Sequence, residues 1–192
     1  MMSMTDYLED IEDLIINDLE DLCLMGRNFT HIRFESCNLS DLRFDGILDS
    51  CVFKDCNLSL TSFQDAKLQG VKYETSKLVG VDFTRCNALG FGIDFSGCLL
   101  RSCNFNFMEL KKTRFKDCEI IETDFIGSNL SESNFTGSSF SSVSFNNTNL
   151  SKAKFNGAHG YAINPLNNNI KNASFSLPDA VALLECMGIK LV

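Results

Sequence analysis

A large apolar side chain returns every fifth residue along most of this chain. In NFTHIRFESCNLSDLRF, residues 28–44, it falls at Phe29, Phe34, Leu39 and Phe44. The series continues from Phe53 to Phe83 and resumes from Phe95 to Phe155. With Leu48 and the weak Ala88 there are 26 such rungs, and they hold 14 of the 17 phenylalanines. Neither helical nor strand periodicity gives this spacing.

The residue two before each rung is small or moderately apolar, as at Cys37, Ala66, Val81, Cys118 and Ser133. Asn or Asp often stands just before the rung, and the two residues after it are mostly polar, Gly or Ser. Two inward positions in five require the chain to turn within every unit, and Asn, Asp, Ser and Gly supply that turn chemistry. Four units close a square coil of about 20 residues, and coils stack about 4.8 Å apart through backbone hydrogen bonds. Residues twenty apart then lie on one another. This predicts three columns: Phe95, Phe115, Phe135 and Phe155; Phe105, Phe125 and Phe145; Leu110, Leu130 and Leu150. The expected fold is all-β, a square tube of stacked coils. Residues 27–157 make about 6.5 coils, roughly 31 Å of rod.

The series is broken twice. Phe44 to Phe53 is one residue short, within DGILDSC. Phe83 to Phe95 is two residues long, within CNALGFGID, and Gly90 and Gly92 mark residues 87–92 as a kink dividing the rod. The Gly-x-Gly here neither follows a long apolar strand nor opens a helix, which argues against a phosphate loop. Open coil ends need caps. Ser176 to Asp179 fits a capping box ahead of a short apolar helix ended by Gly188, and Ile189 to Val192 alternates like a strand. This segment, 176–192, is expected to cap the rod and pair with a second copy through Phe175, Val181, Leu184, Met187, Ile189 and Leu191. At the other end, Leu8, Ile11, Ile15, Leu19 and Leu22 have helical spacing, so 1–18 is expected to be an acidic segment with a short helix over about residues 5–16. Leu14, Leu19 and Leu24 extend the five-residue series instead, and the coil body is placed at 19–175.

Net charge is −8, and its distribution is uneven. Residues 1–26 hold eight acids (Asp6, Glu9, Asp10, Glu12, Asp13, Asp18, Glu20, Asp21) and no Lys or Arg. Residues 27–157 hold fifteen acids and fifteen bases. A body without net positive charge argues against direct nucleic-acid binding. The sequence has no long apolar run and no secretion signal, so a cytoplasmic protein without a membrane span is expected. Seven of the nine cysteines occupy the small inner position, where reduced thiols act as fillers. His31 and His159 lack partners at metal or triad spacing, and Glu119 and Glu122 fall on an outer wall. No cofactor or metal is called for, and no enzyme is expected.

The five-residue layout closely resembles the pentapeptide-repeat family, over roughly residues 19–175, and the resemblance implies that family's right-handed quadrilateral β-helix. Within it, CNALGFGIDFSGC is similar to the Ala-Leu-Gly hinge of Qnr-type quinolone-resistance proteins, and DAVALLECMGIKLV to their C-terminal dimerisation segment. GYAINPLNNNI resembles microcin-immunity relatives. The resemblance implies a non-enzymatic homodimer that binds DNA gyrase or topoisomerase IV as a DNA mimic and relieves inhibitor poisoning, with the eight N-terminal acids as partner-binding candidates. The protruding loops of Gram-negative Qnr proteins have no room in this series. The other reading is a scaffold or adaptor that binds a protein through one wall or through the acidic N-terminus.

Overall fold

A computed structural model describes residues 10–12, 15, 16 and 26–190. The chain winds as a right-handed quadrilateral β-helix of about eight turns, its walls made of stacked parallel strands. The first wall stacks Asp10–Glu12, Asn28–Thr30, Ile47–Asp49 and Lys67–Gln69. The second stacks six strands, from Ile15–Ile16 through Arg33–Glu35, Val52–Lys54, Val71–Glu74 and Ile93–Ser96 to Phe115–Lys116. Lys154–Phe155 and Ser174–Phe175 continue it. The third stacks Lys77–Val79, Leu99–Arg101, Glu119–Ile121 and Ser139–Ser141. The fourth is joined by single bridges, such as Asp82 to Asn104 and Asp124 to Ser144.

The corners explain the polar residues of the repeat. The second residue after a rung takes a left-handed φ, as at Ser36 (56°), Asp55 (55°) and Asp117 (54°), and glycine fills that slot at Gly97 (63°). Leu60 and Phe107 occupy it too, each at φ 60°. The one-residue deletion is absorbed at the corner holding Gly46. A Cβ there would stand 2.0 Å from the Arg27 carbonyl oxygen, so the shortened corner admits only glycine.

The predicted columns are present and longer than expected. On the second wall eight rings, from Phe34 to Phe175, stack with centroids 4.7–5.3 Å apart. On the fourth, Phe44, Phe63, Phe83, Phe105, Phe125 and Phe145 stack at 4.8–5.7 Å. The two columns meet across the axis edge to face, as in Phe105 against Phe115 at 5.8 Å and 86°. Offset stacking and T-shaped contact are the two geometries that aromatic quadrupoles favour. Leu110, Leu130 and Leu150 are buried on the first wall, completing the third predicted column.

The small inner residues do more than fill space. Cys51 Sγ donates to the Phe29 carbonyl (3.2 Å) and Cys98 Sγ to the Tyr73 carbonyl (3.2 Å). Thr61, Ser133 and Thr148 make the same bond to Leu39, Leu110 and Phe125, each at 2.8 Å. Where Cys, Ser or Thr fills this position, as in these units, its compact donor reaches a rung carbonyl of the preceding coil. Tyr73, like Tyr161, carries a buried hydroxyl into an otherwise apolar interior. The Tyr73 hydroxyl is without a hydrogen-bond partner. Because a buried unpaired hydroxyl costs about 1–3 kcal/mol, Tyr73→Phe is expected to stabilise the fold by about 1 kcal/mol, measured by denaturant unfolding.

Three expectations at the two ends are corrected. Asp10–Glu12 and Ile15–Ile16 are strands, not helix, in register with Phe29 and Phe34 through Ile11 and Ile16. Ile15, which a helix would bury with Ile11, is 57% exposed, whereas Ile16 is 7% exposed. Pairing with the open edge of the first coil satisfies backbone that a detached helix would leave unpaired. The other residues of that expected helix lie outside the described residues. At the C-terminus the helix spans Val181–Glu185, with Gly188 at φ 79° after it. No side chain caps its start, so the capping box is absent. Ser176 Oγ instead accepts the Gly157 N–H (3.0 Å), tying the last coil to its neighbour. Ile189 and Lys190 form no strand. At the two-residue insertion the core runs through unbroken: Tyr73 stacks on Phe95 at 5.0 Å and Phe83 on Phe105 at 4.8 Å. The extra residues bulge from the first wall alone, with Gly90 at φ 73° and Gly92 outside the left-handed region.

Candidate interaction surfaces

With the columns sealed inside, function rests on the outer walls and the two ends. The balanced charge of the body is segregated by wall. On the third and fourth walls and the corners flanking the third are Asp41, Asp45, Asp55, Asp82, Asp117, Glu119, Glu122 and Asp124, against Arg43, Lys77 and Arg101. The first and second walls take the opposite sign. Between residues 109 and 171 they and their shared corner carry Lys111, Lys112, Arg114, Lys116, Lys152, Lys154 and Lys171 against Glu109 and Glu132. Over that stretch the acidic side has Asp117, Glu119, Glu122 and Asp124 and no Lys or Arg.

Ion pairs on these walls are exposed. Lys111 and Lys112 share Glu132 at 3.3 and 4.0 Å, Arg114 meets Asp94 at 3.7 Å, and Lys116 meets Asp117 at 3.5 Å. The hydrogen bond from Lys111 holds the Glu132 carboxyl below its ordinary range, helped by Lys112 and Lys152. Such exposed pairs add little to stability and exchange readily for a partner's charges.

The N-terminal acids are divided. Asp10 and Glu12 lie in the strand that extends the first wall, while Asp6, Glu9, Asp13, Asp18, Glu20 and Asp21 lie outside the described residues. Among the residues expected at a dimer face, Leu184, Met187 and Ile189 are 38%, 42% and 43% exposed, and Val181 is half-buried. Leu177, at 81%, adds to that face. Phe175 is the last ring of the second-wall column, stacked on Phe155 at 5.0 Å, and it carries the core out to the exposed end. Leu191 lies outside the described residues.

An apolar patch at the insertion went unread in the sequence. Leu89 is 71% and Phe107 79% exposed, and Phe91 and Met108 are half-buried beside them. Phe107 is one of three phenylalanines off the rungs, which was the available signal. Its ring covers Gly127, where a Cβ would come within 2.5 Å of Cδ1. Among the described residues no group of three His, Cys, Asp or Glu side chains could hold a metal, and no helix is long and apolar enough to cross a membrane.

The architecture is thus that of a solenoid whose interior is closed and whose walls face solvent. The pentapeptide repeat region model matches residues 27–90 and 91–175, and the chain belongs to the pentapeptide-repeat family. Among solved structures, a trypsin-treated form of QnrB1, a plasmid-mediated fluoroquinolone resistance protein, matches with a TM-score of 0.69 at 17% identity, covering 96% of this chain and 98% of its own. HetL, a pentapeptide-repeat protein of the cyanobacterium Nostoc sp. involved in heterocyst differentiation regulation, matches with a TM-score of 0.50 at 13% identity, covering 85% and 81%. No curated protein sequence matches the chain. At these identities the solved structures establish the fold.

Proposed function

We propose that this protein is a non-enzymatic binder of a type II topoisomerase, DNA gyrase or topoisomerase IV, and protects it from an inhibitor by occupying part of its DNA-binding surface. The observation that carries the reading is the acidic side of the rod: eight carboxylates against three cations on the third and fourth walls and the corners flanking the third. Duplex DNA presents dense negative charge on a stiff rod, and a surface built to hold it attracts a stiff acidic rod. The fold shared with a fluoroquinolone resistance protein agrees with this reading. Purified protein added to gyrase with a quinolone or a peptide toxin is expected to restore supercoiling in a dose-dependent way. No restoration together with no gyrase binding would remove the proposal.

The second element of the proposal is a homodimer through the C-terminal end, which lengthens the acidic rod. Phe175, Leu177, Leu184, Met187 and Ile189 leave an apolar end that water would otherwise cover. Light scattering is expected to give twice the 21.4 kDa chain mass, and Leu184→Glu to return the single-chain mass with the melting temperature of the repeat body little changed. A single-chain mass for the unaltered protein at micromolar concentration would count against it.

A further inference from the structure

The insertion opens a groove that the DNA-mimic reading does not use. At residues 88–91 the first wall leaves the square path, so no inward rung lies between Leu68 and Leu110 in that column. Beside it is a depression of about 530 Å³, lined by Cys86, Ala88, Phe91, Phe107, Met108 and polar groups including Asn106. Phe91 and Glu109 also border a second depression, and Asp94 borders both that one and a third. The groove runs from the corner between the fourth and first walls around to the second wall. One end is apolar, and the other is lined by Lys72, Lys111, Lys112, Arg114 and Lys116 together with Glu74 and Asp94.

Two features mark it as built to receive a partner. Phe107 keeps 79% of its surface in water at a corner slot that nearly every other coil fills with glycine or a polar residue. The cations are also undercompensated, since Lys111 and Lys112 share one carboxylate that also lies near Lys152. We propose that this groove docks an extended protein segment in which an aromatic or aliphatic anchor fills the apolar end and following acidic side chains meet Lys111, Lys112, Arg114 and Lys116. A nucleic acid fits less well, because its evenly spaced phosphates would also meet Glu109, Asp94 and Glu74, whereas a peptide can place neutral residues opposite them.

The test is selection of a displayed random library of peptides about twelve residues long, some 40 Å extended, on the full-length protein. Anisotropy of an enriched peptide then measures binding. The enriched peptides are expected to carry an apolar anchor followed by several Glu or Asp. Phe107→Ala is expected to weaken binding about tenfold, and the pair Lys111→Glu and Lys112→Glu at least as much, with affinity falling as salt rises. Circular dichroism of each variant checks that it folds. The proposal is overturned if the folded variants bind as well as the parent, if selection yields no shared pattern or a basic one, or if a thymidine oligonucleotide displaces the peptide at comparable concentration.

Discussion

Replacing Phe115 with Ala should lower stability by about 4–5 kcal/mol, the upper end of the range for emptying a buried phenylalanine. The ring stacks on Phe95 at 5.1 Å and on Phe135 at 4.9 Å, and it meets Phe125 edge to face at 5.5 Å. Its neighbours are fixed by coils on both sides, so the site cannot collapse to fill the void. At 2–4 °C per kcal/mol for a chain of this size, the melting temperature should drop by about 10 °C or more. Phe107→Ala is the control, because that ring is 79% exposed, and it should shift stability by less than about 0.5 kcal/mol. Equal effects at the two positions would mean that the columns do not carry the stability of the rod.

Alkaline pH should unfold the protein well before it affects an ordinary β-protein. Burial pushes the Cys51 and Cys56 thiols up to about 11 and the Cys103 thiol up to about 12, from an ordinary value of 9. It also raises Tyr73 well above its ordinary value of 10. The unfolded chain releases these protons from about pH 9, while the native chain keeps them until about pH 11–12. In that window the unfolded state binds fewer protons, so stability falls as pH rises, by about 3 kcal/mol per pH unit near pH 10 for three thiols. Against a total of about 5–15 kcal/mol, unfolding at room temperature is expected near pH 11. The triple variant Cys51→Ser, Cys56→Ser, Cys103→Ser should flatten this profile. Serine at the same repeat position still donates to a rung carbonyl, as Ser133 does at 2.8 Å. Unfolding followed by circular dichroism from pH 8 to about pH 11 would decide it; identical profiles for parent and variant would contradict the account.

The core was legible in the sequence because the period of five admits one arrangement. Phe95, Phe115 and Phe135 had to coincide once twenty residues closed a coil. The ends were less legible because their residues satisfy two patterns at once. Ile11 and Ile15 fit a helix, Ile11 and Ile16 fit the coil, and only the unpaired edge above Phe29 and Phe34 decides between them. Ser176 likewise had the right spacing for a helix cap, but the Gly157 N–H claims its hydroxyl. The wall-by-wall segregation of charge was present in the sequence but hidden in its zero sum. Assigning each acid and base to a wall depends on the register through the insertion, where partners shift from twenty to twenty-two residues apart, as in Phe95 opposite Tyr73.

Binding of the purified protein to DNA gyrase in competition with duplex DNA tests the functional account most directly. Duplex should displace the protein, and charge reversal on the acidic side, Glu122→Lys with Asp124→Lys, should abolish binding, while Lys152→Glu with Lys154→Glu on the opposite side leaves it intact. Binding that persists under excess duplex and survives reversal of the acidic pair would contradict the account.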